Sequence, residues 1–366
     1  MDARTYAGAV IRRLRWPTAL LIAAFAASAC DSAATPSADA QPARATGASS
    51  SPRPTPTGNG EITLAFGGDV HFAERTAKLL DDPATAIGPT SSVLSAADVA
   101  MVNLETAITE GGVPEPKQYH FRAPASALTA LKAAGIDVTT MANNHALDYG
   151  QSGLADTFAA IESSGYPVVG IGRTAQEAFA PWVTDVRGTK VAFLGLSQIR
   201  ERAPQWRATA SRPGVASALD IPAAAAAVRA ARALADVVVV YLHWGQEGSA
   251  CPTDRMKVLA KALSEAGADA IISTHAHLLL GDGYLGNTYV QYGLGNFVWW
   301  WDEAFSNDTG VLTLTLRGRQ VSKAVLTPAR ISSTGQPVVA TGASAARITA
   351  KYEKLRACTG LASAPS

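Results

Sequence analysis

Glu61-Ile62-Thr63-Leu64-Ala65-Phe66-Gly67-Gly68-Asp69-Val70-His71 is the stretch on which the fold reading turns. Its first six residues alternate with the two-residue period of a strand, and Gly67-Gly68 then signals a tight turn. Asp69 and His71 follow at once. A strand that runs into a turn bearing a carboxylate and an imidazole predicts an α/β sheet with chemistry at its carboxyl end, because that is where open α/β sheets leave a crevice.

The pattern recurs downstream. Short β-type runs occupy 97–102, 137–141, 190–196, 235–242, 268–273 and 287–292, and helical stretches at 125–134, 153–163, 222–234 and 253–266 alternate with them. This alternation predicts an α/β sheet sandwich. Residues 310–316 and 320–327 flank Arg317-Gly318-Arg319 and predict a closing hairpin, and an amphipathic segment at 346–356 precedes Cys358.

The chain has six histidines, five of which fall where a predicted strand gives way to a turn. They lie in Gly68-Asp69-Val70-His71, in Asn143-Asn144-His145-Ala146-Leu147-Asp148, in Leu242-His243-Trp244-Gly245, and in Thr274-His275-Ala276-His277. Asn103-Leu104-Glu105 adds a carboxylate after another strand. Each segment alone fits a hydrogen-bonded core histidine or a polar strand edge. Together they offer imidazole and carboxylate without thiolate, the donor set of a Zn, Mn or Fe site rather than of Ca or a cysteine-rich zinc.

At the amino end, Arg12, Arg13 and Arg15 precede an apolar run that closes on Ser28-Ala29-Cys30. That is the layout of a signal peptide over 1–30, too short to persist as a membrane span. Small residues followed by Cys resemble the lipobox of bacterial lipoproteins, which makes Cys30 the expected lipidated terminus and the outer face of the cell membrane the expected location. Residues 31–60 are rich in Ala, Ser, Thr and Pro, cannot bury enough surface to fold, and read as a disordered linker. The domain is expected over 61–358, with a flexible tail at 359–366. In an exported protein Cys251 and Cys358 are candidates for a disulfide, the alternative being two free thiols. With 31 Lys and Arg against 30 Asp and Glu, no basic field exists to hold nucleic acid.

Asp-x-His after a first strand, then Asn-His, a lone His and His-x-His resembles the motif order of calcineurin-type metallophosphoesterases. Asn103-Leu104-Glu105, Asn143 to Gly150, His243-Trp244-Gly245-Gln246-Glu247 and Tyr292-Gly293-Leu294-Gly295-Asn296-Phe297 resemble more closely the CapA family of poly-γ-glutamate (capsule) synthesis proteins, over 62–298. The resemblance implies a metallophosphatase-like sandwich of two mixed β-sheets flanked by helices, holding two divalent transition-metal ions. It implies that Asp69, His71 and His277 hold one ion and Asn144, His243 and His275 the other. Glu105 would bridge them, replacing the Asp of a Gly-Asp-x-x-Asp motif that this sequence lacks.

His145 is then the candidate acid and Asp148 its orienting partner. Glu247 is a candidate support for a ligand imidazole, Asn296 a candidate neighbour of the site, and Arg122 a candidate substrate contact. Trp299, Trp300 and Trp301 line a polymer groove or pack a domain edge. The implied function is synthesis, export or anchoring of an anionic polymer, beside membrane polymer-synthesis proteins. The competing readings are a free-standing extracytoplasmic phosphoesterase and a non-catalytic, metal-stabilised binding lipoprotein.

Overall fold

The computed structural model describes residues 60–366. The expected signal peptide, Cys30 and all but the last residue of the expected linker lie outside the described residues. No helix among the described residues is long and apolar enough to cross a membrane.

Two mixed sheets form the body. In the first, strands Ile62–Val70, Val99–Leu104, Val138–Thr140 and Val168–Val169 run parallel in that order. On the other side of Ile62–Val70 the antiparallel strands Asp308–Arg317, Gln320–Ile331 and Pro337–Val339 complete the sheet. The second sheet has the order Asp282–Leu285, Thr288–Gln291, Ala270–Thr274, Val237–His243, Thr189–Ser197, Trp182–Val186, with parallel pairing through its centre and antiparallel edges. The two mixed sheets and flanking helices expected from the sequence are therefore present.

Strand periodicity explains the layering. Ile62, Leu64, Phe66, Val99 and Met101 meet Val237, Val239 and Tyr241 in one apolar cluster between the sheets. The intervening Ala65, Ala100 and Val102 face outward onto the helix residues Leu128, Leu131 and Leu154, while Val238, Val240 and Leu242 face Val228, Leu259 and Leu263. Each fully buried aliphatic side chain contributes roughly 1.5–3 kcal/mol, so this alternation drives the assembly. The helices Ile221–Leu234 and Asp254–Ala266 start at side-chain caps, with Asp220 accepting from the Ala223 amide and Thr253 from that of Met256.

Three sequence expectations change. The first strand does not stop at Gly67-Gly68 but runs on to Val70. The glycines serve close approach instead of a turn: a Cβ on Gly68 would lie 2.0 Å from the Gly295 carbonyl oxygen. The carboxyl tail is docked rather than free, since Ala362 and Tyr284 exchange backbone hydrogen bonds of 2.8 and 2.9 Å. Strand Asn296–Val298, unseen in the sequence, pairs with the end of the first strand, Asp69 opposite Asn296. Cys251 and Cys358 form a disulfide with Cα atoms 5.8 Å apart, tying the end of the carboxyl helix to the loop after His243.

Candidate metal centre

Parallel pairing sends the strands of both sheets to the same edge, and there their carboxyl ends meet. The Tyr241 hydroxyl donates to the Gly67 carbonyl across the sheets at 2.6 Å. Beyond that bridge, Asp69, Glu105 and His243 are fully buried, and Asn144, His145 and His275 nearly so. His275 and His277 both sit at positive φ, 93° and 57°. Non-glycine residues hold such backbone only where the surroundings over-determine it, and such positions concentrate at functional sites.

Donor atoms converge from both sheets. His243 Nε2 lies 2.7 Å from Asn144 Oδ1, 3.0 Å from His275 Nδ1 and 3.3 Å from Glu105 Oε1. Asp69 lies 3.6 Å from His277 Nδ1 and 3.8 Å from His243 Nδ1. The close donors form two groups, Asp69 with Glu105 and His243, and Glu105 with His275 and His277. Glu105 belongs to both, which suits the bridging role. Two donors at right angles, each ~2.1 Å from one ion, lie ~3 Å apart, so these spacings fit ligands of a shared cation.

The sharper test is Glu105 itself. Its carboxylate is inaccessible to solvent, and neither oxygen has a hydrogen-bond partner among the described residues. A buried ionised group without a partner carries a desolvation cost that proteins avoid unless a cation compensates it. Burial, reinforced by the negative charge of Asp69, pushes the Glu105 pKa well above the usual carboxylate range. Burial alone would also raise Asp69, but His277 and His243 outweigh it and hold that carboxyl below its ordinary value. Burial lowers His243 to about 4, keeping its imidazole neutral and ligand-competent. The residues present fit divalent cations.

His71 differs from expectation. It falls in neither group of close donors; its two ring nitrogens face the backbone amides of Ala73 and Trp300 at 3.2 and 3.3 Å. Its ring stacks on Phe121 at 4.2 Å and meets Trp299 edge-on. Phe121, on its opposite face, stacks on His145, also at 4.2 Å.

His145 Nδ1 is 2.6 Å from Asp148 Oδ2, while its Nε2 points to the cluster, 3.8 Å from Glu105. Asp148 also accepts from Lys117 Nζ at 2.8 Å and from the Phe121 amide at 2.6 Å. Burial raises the Asp148 pKa to about 6 against the opposing pull of Lys117. Burial and then Lys117 hold His145 well below its ordinary value. Lys117 also donates to the Asn144 carbonyl, so it locks both the dyad and a candidate ligand segment.

Two other candidates make no direct contact with the donors. Glu247 gives no hydrogen bond to His243, whose Nδ1 faces Asn103 Nδ2 and Thr274 Oγ1, each at 3.2 Å. Glu247 is exposed at the mouth of the neighbouring cavity. Arg122 is exposed, its guanidinium 4.8 Å from the centre of the Tyr149 ring. Asn296 is beside the site as expected, its Oδ1 2.8 Å from His277 Nδ1, and its Nδ2 has no partner among the described residues. Asn103 also donates to Asp69 at 2.7 Å. Sequence reasoning missed the roles of Lys117, Phe121 and Asn103. Only Asn103, adjacent to the Leu104-Glu105 pair, carried any signal.

The bacterial capsule synthesis protein PGA_cap family model matches residues 63–299, which span every donor described above. The chain belongs to this family. Among curated relatives it is 29% identical over 286 residues to the PGA biosynthesis protein CapA of Bacillus subtilis, covering 76% of this chain and 74% of that protein. It is 31% identical over 230 residues to the capsule biosynthesis protein CapA of Bacillus anthracis, covering 62% of this chain and 55% of that one. Among solved structures, the NAD nucleotidase NadN of Haemophilus influenzae aligns with a TM-score of 0.45 at 13% identity, over 84% of this chain and 65% of that one. The matched span ends at Trp299, so this family member carries its hairpin Asp308–Arg317/Gln320–Ile331 and the disulfide-tied carboxyl helix beyond it.

Proposed function

We propose that this chain is an exported, lipid-anchored, metal-dependent hydrolase that acts on an anionic capsule polymer of the poly-γ-glutamate type during its making, export or anchoring. The observation that carries the hydrolytic part is the buried Glu105 carboxylate, without a hydrogen-bond partner among the described residues and ringed by His243, His275, His277 and Asp69. Family membership and the relatives' roles in capsule and PGA biosynthesis support the polymer. Cys30 and the preceding signal-type sequence support the anchor, which would keep the domain near membrane polymer-synthesis proteins.

Asp69, Glu105, Asn144, His243, His275 and His277 would together hold divalent ions, with Glu105 common to both close groups and His71 beside them. Such ions supply Lewis-acid polarisation of a scissile carbonyl or phosphoryl group. The chain's own residues do the rest. His145, oriented through Nδ1 by Asp148, carries a proton at Nε2 to the leaving group and recovers one afterwards. Lys117 keeps Asp148 in place. Asn296 Nδ2, buried without a partner among the described residues at the cavity wall, is positioned to donate to a substrate oxygen. Phe121 and Trp299 exclude water from one side.

An adjoining cavity shares Tyr119, His145 and Glu247 with the first and leads on past Ile199 and Gln246 to Arg200 and Arg255. Both arginines are exposed there, and neither has an ion pair among the described residues. They suit an anionic chain, although Glu201 stands nearby, 3.5 Å from Lys117.

The test uses metal analysis and turnover on the same variants. His145→Ala should keep its metal and lose ~100-fold or more in rate, because a proton carrier and no ligand is removed. Asp69→Asn and His243→Ala should lose metal. Equal metal loss in all three makes His145 a ligand or a structural residue. Full metal with no turnover of poly-γ-glutamate or an activated phosphoester defeats the hydrolase assignment.

A further inference from the structure

Residues 200–212, which follow the strand Thr189–Ser197, carry four arginines and one carboxylate. Three of these five charges are engaged. Glu201 faces Lys117 at 3.5 Å, Arg202 pairs with Glu115, and Arg212 donates to the carbonyls of Pro204 and Arg207 at 2.8 and 3.2 Å. Arg200 and Arg207 are left exposed, with no hydrogen bond or ion pair to either guanidinium among the described residues. The segment that mounts them is anchored: Trp206 is buried, with Lys117 Nζ 5.1 Å from the centre of its ring. Cations on a fixed support lose little freedom when a ligand arrives.

Arg200 stands where two cavities meet. One, of about 280 Å³, is lined by Arg200, Arg255 and Gln246 and reaches His275 of the candidate centre. The other, of about 820 Å³, continues from Arg200 to Arg207. Together their linings hold three arginines against one carboxylate, Asp220, which already accepts from the Ala223 amide at 3.1 Å. Asp254, next to Arg255 in sequence, lies outside both linings. Nearer His145 the joining cavity carries Lys117, Glu201 and Glu247, so the unpaired arginines begin where that acidic pair ends.

Guanidinium groups bind carboxylate or phosphate through paired N–H donors. The wall between these arginines selects between the two. In the larger cavity it is Phe179, Ala203, Pro204, Ala208, Leu219 and Ala223, an apolar surface on which a polyphosphate has nothing to bury. A chain whose charges are separated by methylene groups gains there, and a cavity of this size suits a ligand of many atoms rather than one small anion.

We propose that Arg255, Arg200 and Arg207 form a track that holds successive carboxylates of one extended polycarboxylate chain, its methylenes against the apolar wall, leading away from the candidate metal centre. The proposal rests on the polymer reading above for the kind of chain. It adds which residues grip that chain beyond the centre, and it requires affinity to grow with chain length.

The test is fluorescence anisotropy of the intact, metal-loaded protein with end-labelled γ-glutamate dimer, tetramer and octamer, in the cold, with chromatography of the same samples reporting any cleavage. Affinity should rise ~10-fold or more from dimer to octamer. Arg207→Ala should weaken octamer binding ~3- to 5-fold at unchanged metal content and leave the dimer unaffected, with Arg207→Lys intermediate. Arg200→Ala combined with Arg207→Ala should remove most of the length dependence. A γ-glutamine octamer and a polyphosphate of equal charge should bind ~10-fold or more weakly than the γ-glutamate octamer. Thermal melts separate lost binding from lost fold. Equal affinity for dimer and octamer, octamer binding unchanged in the double variant, or polyphosphate bound as tightly as the octamer would each overturn the track. Length-dependent binding without cleavage supports the track and defeats only the hydrolase assignment, whereas cleavage without length dependence defeats only the track.

Discussion

Replacing Glu105 with Gln should separate the stability of the bare fold from its stabilisation by metal, in opposite directions. The wild-type carboxylate is fully buried with both oxygens unpartnered among the described residues, 3.3 Å from His243 Nε2. An unsatisfied buried group of this kind costs ~1–3 kcal/mol, more when charged. In chelator burial disfavours the charged form of Glu105, and the neutral glutamine side chain removes that cost of ionisation at nearly constant volume, so Glu105→Gln should melt at or above the wild type, by at most ~1–3 kcal/mol of stability. With metal the order reverses. A ligand at ~1,000 times its Kd stabilises by ~4 kcal/mol; a 100-fold loss of affinity at the same concentration leaves ~1.4 kcal/mol. At ~2 °C per kcal/mol for a domain of this size, the metal-induced shift in Tm should fall from ~8 °C to ~3 °C. Differential scanning calorimetry in chelator and in excess Mn, Zn or Fe measures both. If Glu105→Gln destabilises the chelated protein and retains the full metal-induced shift, Glu105 is a structural acceptor and the case for its bridging role collapses.

The disulfide between Cys251 and Cys358, 107 residues apart, should contribute ~4–5 kcal/mol in the chain-entropy model. Cys358→Ser should therefore lower Tm by roughly 10 °C, and an unchanged Tm would show that the closed loop contributes nothing. Gly68→Ala should destabilise by at least the ~1–3 kcal/mol typical of overpacking, because the added Cβ would lie 2.0 Å from a backbone oxygen; a wild-type denaturant midpoint would contradict the close crossing. Cys30→Ser should release the mature protein from membranes, and unchanged sedimentation with the membrane fraction would reject a lipid anchor there.

Much of the candidate site was legible because its chemistry is concentrated in short segments. Asp69, Glu105, Asn144, His145, His243, His275 and His277 lie at or just after strand ends, and parallel pairing obliges those ends to gather at one edge. Period-two alternation likewise marks Ile62, Leu64 and Phe66 as one buried face from residue type alone. What the segments lacked was long-range information. Gly67-Gly68 has the same composition whether it turns a chain or admits a crossing backbone, and only the approach of Gly295 distinguishes the two.

The sequence by itself determined the α/β class, the strand ends that carry donors, the donor chemistry and the family, since each depends on residue type and local spacing. Tertiary structure alone decided which donors meet. It gave Glu105 to both close groups and turned His71 against Phe121 and the backbone amides. It also buried Lys117 beside Asp148 and brought Tyr119 to the rings of Trp300 and Trp301. The physical reason is that these contacts join residues tens to hundreds of positions apart, where side-chain direction follows from sheet twist and packing, and no local pattern encodes the partner.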